Sequence, residues 1–455
     1  MNKEKIIIVG GGLSGPLLAI MLAKRGYAVS LYERRPDMRE TEISAGRSIN
    51  LALSERGITA LSKVGMDEVV LESTVAMNGR LIHDLEGNTN LQSYSGREGE
   101  CINSVSRGEL NIKLMDEAEK NGVTIWFDMR CTDVNFKSGE VAFWDEVNNK
   151  TVTDNGDVIF GTDGSASAVR NEMMNQGARL RFSYSQSYLE HGYKELTIPA
   201  GENGSFKIEK NALHIWPRGG YMMIALPNFD GSFTVTLFLP FKGKNGFDEL
   251  DSPEKVRAFF EAEFKDVLSV MPTLVDDFFN NPTGSLATVK CYPWQVDGKS
   301  LLLGDAAHAV VPFYGQGMNC SFEDCVVLDD FIGQYEGDWT RIFEAYQEHR
   351  KKDTDAIANL AVANFFEMRD HVADPVFKRK KQLELMLEQT YPSYFSKYSL
   401  VTFKDDVSYA QAETQGKNQD AFLMELCAGV DDVKSLDLEE VYQQVKGLAS
   451  SHHSS

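Results

Sequence analysis

Four consecutive apolar residues, Ile6-Ile7-Ile8-Val9, run directly into Gly10-x-Gly12-x-x-Gly15. A continuous apolar run of this kind suits a strand buried on both faces, as in a parallel sheet covered by helices. Leu17 to Ala23 then follow a helical pattern, with Pro16 tolerated in the first turn and Gly26 just past the end. Ala28 to Glu33 reads as a second strand. In this setting the first glycine makes a tight turn, the second admits a pyrophosphate, and the third lets helix and strand pack closely. The helix N-terminus adds amide N–H groups and a partial positive charge. Glu33 ends the second strand, where a carboxylate accepts hydrogen bonds from a ribose hydroxyl pair. These residues point to a bound dinucleotide and leave FAD and NAD(P) both open.

The rest of the chain sets bounds. At 455 residues it exceeds what one core usually supports, so two or three structural units are expected. Acidic residues outnumber basic ones 67 to 46, for a net charge of −21, which argues against nucleic acid or an anionic membrane as partner. No run of apolar residues is long enough to span a bilayer, and the apolar start is too short for a signal peptide. The six cysteines show no Cys-x-x-Cys pair and read as buried thiols of a reducing compartment, so a cytoplasmic protein without a metal site is expected.

Short apolar runs recur at Val158-Ile159-Phe160-Gly161 and Leu301-Leu302-Leu303-Gly304, each followed closely by Asp, and read as further strands of the first sheet. Tyr221 to Leu226 and Phe233 to Phe238, joined by Asp230-Gly231, read as an antiparallel hairpin. The expected domains are therefore interleaved. Residues 1–76, 101–180 and 291–337 form the dinucleotide-binding domain, 77–100 a substrate-binding segment, and 181–290 an antiparallel-sheet substrate domain. Residues 338–455 form a helical region ending in a disordered tail. The basic run Lys378 to Lys381 reads as a solvated helix face.

Gly161-Thr162-Asp163-Gly164-Ser165-x-Ser167-x-x-Arg170 and Gly304-Asp305-Ala306-Ala307-His308 together resemble a paired signature of FAD-dependent aromatic hydroxylases of the p-hydroxybenzoate hydroxylase type. The resemblance implies FAD, with Asp305 on the flavin ribityl chain, Asp163 near the pyrophosphate, and Arg107 near the dinucleotide. Glycines before a helix let backbone amides approach a flavin ring, so Gly317, Met318 and Asn319 are expected to hold its negatively charged edge. His308 is expected to be structural.

Longer strings narrow the resemblance. Gly46-Arg47-Ser48-Ile49-Asn50-Leu51-Ala52-Leu53-Ser54-x-Arg56-Gly57, His191-Gly192-Tyr193-x-Glu195-Leu196, Leu213-His214-Ile215-Trp216-Pro217 and Phe313-Tyr314-Gly315-Gln316-Gly317-Met318-Asn319 are similar to the kynurenine 3-monooxygenases, over about residues 5 to 410. The fold implied is α/β: a Rossmann-like FAD-binding domain with an inserted antiparallel-sheet substrate domain and a C-terminal helical region. Leu13, Ser14, Arg34, Arg35, Ala52 and Cys131 are further cofactor contacts by the same resemblance. Arg80, Tyr94, Asn364 and Tyr398 match the residues that hold the amino-acid end of L-kynurenine. Leu213, Ile224, Leu226, Thr236, Phe238, Phe313, Tyr314 and Met368 are the expected ring pocket. A guanidinium and phenol donors are what a carboxylate needs. No catalytic base is assigned, Gln316 being the single candidate.

The activity implied is hydroxylation of L-kynurenine to 3-hydroxy-L-kynurenine with NADPH and O2 through a flavin hydroperoxide. NADPH is a co-substrate without a domain of its own, and the protein is a monomer or homodimer. Eukaryotic members carry a C-terminal membrane anchor, whereas this chain stays polar after Val401-Thr402-Phe403, which implies a bacterial-type enzyme without membrane attachment. A hydroxylase of another arylamine or phenol and a non-catalytic flavin-binding sensor stay open as alternatives. A flavin halogenase is less consistent, since its Trp-x-Trp-x-Ile-Pro string is missing.

Overall fold

Strand Lys5–Val9 lies inside a six-stranded sheet in the order Gln295–Val296, Ser300–Leu302, Val158–Gly161, Lys5–Val9, Ala28–Tyr32, Thr124–Trp126. Every pairing is parallel except the one at the Gln295–Val296 edge. In this computed structural model, which describes residues 4–40, 50–371 and 374–450, Ile6, Ile7 and Ile8 are fully buried. The apolar run is thus explained by burial of both faces of the strand. Gly46 to Ile49 and the residues after Ser450 lie outside the described residues.

The chain divides into two compact units. The first comprises Met1–Ser73, Val105–Tyr188 and Ala287–Ala358; the second comprises Thr74–Ser104, Leu189–Leu286 and Asn359–Ser455. The first unit carries the six-stranded sheet.

A seven-stranded sheet has the order Gly284–Tyr292, Ser183–Ile198, Phe233–Pro240, Met222–Pro227, Leu213–Pro217, Gly79–His83, Thr89–Ser93, and its last five strands belong to the second unit. The hairpin read from sequence is present, closed by Asn228 N donating to Ser232 O at 2.8 Å. One pairing that local pattern did not reveal is parallel, between Gly79–His83 and Leu213–Pro217. One sheet face, with Leu196, Trp216, Met223, Val235 and Leu237, packs on Val256, Phe259 and Phe260 of helix Pro253–Glu263. The C-terminal helices Pro375–Thr390, Tyr409–Ala428 and Leu438–Ser450 share a core of Leu383, Leu387, Leu423, Cys427, Val441 and Val445.

The basic run at Lys378 to Lys381 is a solvated face only in part, with Lys378 exposed and Lys380 buried. Lys380 is 2% exposed and pairs with Glu384 and Asp420, so the sequence pattern misled because its partners lie a turn and a helix away. All six cysteines are free thiols, and five of them are buried. Among the described residues no helix is long and apolar enough to cross a membrane.

Candidate functional site

In the first unit, the C-terminal ends of Lys5–Val9, Val158–Gly161 and Ser300–Leu302 lie side by side. Parallel sheets bind nucleotides at that edge. A Cβ on Gly15 would fall 2.1 Å from the Gly10 carbonyl oxygen, and one on Gly10 would fall 2.5 Å from that of Thr162. A Cβ on Gly12 would meet nothing within 4 Å. Packing therefore demands glycine at 10 and 15, whereas Gly12 leaves open space beside the backbone. The turn is clamped from two sides. Thr162 Oγ1 donates to Gly10 O at 2.8 Å, and the buried Asn111 Nδ2 donates to Gly12 O at 2.8 Å and Gly11 O at 3.1 Å. Sequence reasoning missed Asn111, because no spacing rule ties its helix to the glycine turn.

Helix Ser14–Lys24, preceded by Leu13, has no side-chain cap and no acidic residue in its first turn. The same holds for Gly317–Tyr335. By contrast, the helices Arg107–Lys120, Pro253–Glu263, Pro375–Thr390 and Tyr409–Ala428 are capped by Ser106, Ser252, Asp374 and Ser408. Two uncapped helix starts leave N–H groups for an outside acceptor, and their dipoles favour an anion. Open space at Gly12 and these two starts fit a pyrophosphate and a flavin ring edge.

Glu33 Oε2 accepts from Gly11 N at 2.7 Å, and Oε1 accepts from Arg35 N and Nε at 3.0 and 2.8 Å. Arg34 is exposed. Asp163 spends its carboxylate on capping helix Ala168–Asn175, accepting from Ser167 Oγ at 2.5 Å and Ala168 N at 2.6 Å. Arg170 joins the two later motifs by donating to Ala306 O at 2.9 Å and Ser165 O at 2.6 Å. Asp305 is open to solvent yet hemmed in by protein, so its carboxyl rises above the ordinary value, with Arg107 and His308 pulling the other way. Arg107 is exposed at the start of its helix. Burial pushes the Cys131 thiol up to about 12.

Asn319 is fully buried and clamps its loop, donating to Ala52 O at 2.8 Å and Gly315 O at 2.9 Å and accepting from Ser54 N at 3.0 Å. What Gly317, Met318 and Asn319 offer a ligand is therefore backbone. Gln316 is buried, with Nε2 donating to Ser54 Oγ at 3.3 Å. His308 is a structural side chain here. Its Nε2 lies 2.6 Å from Asp324, which also accepts from Gly304 N and from Arg350 Nε. His308, Cys320 and Asp324 have metal-like spacing, within 4.8 Å of one another. Arg350 already sits on both Asp324 and the Cys320 sulfur, and burial keeps that thiol neutral, so the cluster takes its cation from the protein.

In the second unit, the strand register puts Arg80, Leu213, Ile224, Leu226, Thr236 and Phe238 on one sheet face, since cross-strand partners point the same way. The Arg80 guanidinium lies 4.6 Å from the Tyr398 ring and 5.9 Å from the Tyr94 ring, and the two rings stack at 5.3 Å. Burial raises both phenols, so they stay protonated donors. A cavity of about 400 Å³ opens on Arg80, Tyr94 and Tyr398, with Lys381, Glu384 and Glu388 also in its wall. Asn364, on the helix Trp339–Phe366, is buried and directs Nδ2 at Met368 Sδ, 3.3 Å away. Phe313 and Tyr314 belong to the first unit, buried in the turn Pro312–Tyr314.

Known proteins resemble this chain at two levels. The model of an FAD binding domain matches residues 3–360. Kynurenine 3-monooxygenase of Myxococcus xanthus is 49% identical over 447 residues, covering 98% of this chain and 95% of that protein. The enzyme of the same name from Dictyostelium discoideum is 45% identical, covering 98% of each. Among solved structures, 2-methyl-3-hydroxypyridine-5-carboxylic acid oxygenase aligns with a TM-score of 0.65 at 19% identity, over 87% of this chain and 99% of the other. The p-nitrophenol 4-monooxygenase of Pseudomonas putida gives 0.65 at 16% identity, over 84% and 93%. Those two likenesses speak for the fold, and the near-full-length identities speak for descent. The chain belongs to the kynurenine 3-monooxygenase family of FAD-dependent aromatic hydroxylases.

Proposed function

We propose that this protein hydroxylates L-kynurenine at the ring carbon ortho to the amino group, using FAD, NADPH and O2. The observation that carries the reading is the set Arg80, Tyr94 and Tyr398 around one cavity, in a chain 49% identical to a kynurenine 3-monooxygenase. FAD, when bound, supplies the redox chemistry that activates oxygen. The glycine turn Gly10–Gly15 and the start of helix Ser14–Lys24 take its pyrophosphate, Glu33 its ribose, Asp305 its ribityl chain, and the Gly317–Asn319 backbone its ring edge.

Arg80 binds the substrate carboxylate as a planar fork, and the phenols of Tyr94 and Tyr398 donate beside it. The apolar sheet face then orients the aromatic ring and excludes water from the reacting atoms. An arylamine is electron-rich without losing a proton, so no side chain has to act as a base.

Mass analysis of the product after mixing the FAD-loaded protein with L-kynurenine, NADPH and air tests the reading. Gain of one oxygen atom on kynurenine is expected. Consumption of NADPH with peroxide release and no oxygenated kynurenine would overturn it.

A further inference from the structure

Behind the sheet face that carries Arg80 lies a polar chain that the reaction does not use. His83 ends the same strand as Arg80, on the opposite face. Its Nδ1 is 2.8 Å from Asp266 Oδ2, and its Nε2 is 2.9 Å from His214 Nδ1. His214 Nε2 is in turn 2.7 Å from the carbonyl oxygen of Glu209. Trp216 Nε1 donates to both Asp266 oxygens, at 3.1 and 2.9 Å, and its ring stacks on His83 at 4.1 Å.

Counting protons decides the charge. A carbonyl oxygen only accepts, so His214 Nε2 bears a hydrogen. An ionised Asp266 only accepts, so His83 Nδ1 bears a second. The contact between the two rings needs a third. Two neutral imidazoles hold only two N–H groups between them, so one ring is an imidazolium, and the carboxylate beside His83 puts the charge there. Two directions agree with this. Burial raises the Asp266 carboxyl, but hydrogen bonds from His83 and Trp216 outweigh it and leave it below its ordinary value. Burial pushes His214 down to about 4, which makes it the neutral partner.

The position of this chain gives it a task. The Arg80 strand meets the Leu213 strand through only three parallel residue pairs, Arg80 with Leu213, Leu81 with His214 and Ile82 with Ile215. On its other side it has only the edge strand Thr89–Ser93, which is largely exposed. Parallel ladders are the weaker kind, and a slip of one residue would turn Arg80 to the wrong face. We propose that His83, as an imidazolium held between Asp266 and His214, is a positioning residue that locks the register of the Arg80 strand and so places the guanidinium for the substrate carboxylate. The link to kynurenine rests on the function proposed above; the proton count does not.

The other charged groups around the pair are Arg218, Glu263 and Glu209. Arg218 donates to the His83 carbonyl at 3.1 Å and to the Glu263 carbonyl at 2.7 Å. Asp84 lies beyond, its carbonyl also accepting from Arg218. The Phe233 ring closes the His214 side edge-on, at 5.6 Å.

The test uses the FAD-loaded full chain and two variants, His83→Gln and Asp266→Asn. Nitrogen-15 NMR of histidine-labelled wild type should show both His83 ring nitrogens protonated and His214 protonated only at Nε2. Each variant should raise KM for kynurenine at least tenfold, with kcat and FAD content within twofold of wild type. Binding of a 2-aminophenyl ketone without the amino-acid end, which gives Arg80 no carboxylate, should be unchanged. A single N–H on His83 would overturn the proposal whatever the substrate is. So would an unchanged kynurenine KM in Asp266→Asn at full FAD occupancy. Failure of the wild type to oxygenate kynurenine, with three ring protons present, would overturn the functional reading and leave the imidazolium standing.

Discussion

Both units bury arginine, and Arg350 and Arg80 differ in what holds them. Arg350 in the first unit is about 2% exposed at its side chain and locked by carboxylates, with Nε 2.8 Å from Asp324, Nη1 2.6 Å from Glu323 and Asp353 at 3.7 Å. Arg80 in the second unit lies against the rings of Tyr398 and Tyr94, with the Glu367 carboxylate within electrostatic reach, and forms part of a cavity wall. A guanidinium surrounded by carboxylates has its charge neutralised within the fold. One set among phenols beside open space can receive a carboxylate from outside. The lesson is that burial of a charge does not mark a binding site, whereas the kind of neighbour does.

That contrast can be broken by measurement, starting with the largest effect. Arg350→Ala should cost about 3–5 kcal/mol of unfolding free energy, because it leaves buried carboxylates without their cation. Denaturant unfolding of the variant without ligand checks it; a loss below about 1 kcal/mol would erase the difference between the two arginines. Arg80→Ala should leave stability and FAD content near wild type but weaken kynurenine binding by about 2–5 kcal/mol. Arg80→Lys should recover only part of that, since an ammonium lacks the planar fork. Titrations of the FAD-loaded variants with kynurenine decide the point.

The glycine turn sharpens the same contrast inside one motif. Gly12→Val should lower FAD affinity about a hundredfold, roughly 3 kcal/mol, without lowering the melting temperature of the FAD-free protein. Gly15→Ala should lower both, because its Cβ falls on the Gly10 carbonyl. Equal melting temperatures for the two variants would contradict this. The smallest effect concerns acid. Burial raises the Asp324 carboxyl, but His308 and Arg350 outweigh it and hold it at about 2, below its ordinary 3.8. A depressed carboxyl contributes stability that is present above about pH 4 and lost as pH falls through about 2, on the order of 2 kcal/mol. Asp324→Asn should remove that part of the acid loss in unfolding curves taken across the interval.

The cofactor side was legible because its chemistry is local. Gly10, Gly12 and Gly15 act through the backbone of one turn, and their spacing is the signal. The resemblance led to Asp163 and Asp305, yet only the fold showed that Asp163 spends its carboxylate on a helix cap while Asp305 stays open. Asn111 escaped notice because its helix meets the glycine turn only after folding. On the substrate side, alternation put Met222, Ile224 and Leu226 on one face and Thr234, Thr236 and Phe238 on one face. It did not show that both sets share a face with Arg80, which follows from cross-strand register. The run at Lys378 to Lys381 misled for a related reason, since Asp420, which neutralises Lys380, is distant in the chain.

The sequence by itself determined the parallel sheet, the nucleotide turn and the class of ligand, because a buried strand and a phosphate-binding loop each write their requirement into a few consecutive residues. Only the tertiary structure decided which charges are spent inside the fold and which face a cavity. It alone brought His83, His214 and Asp266 behind the Arg80 strand. Pairing and burial depend on neighbours far apart in the chain, and no local pattern carries that information.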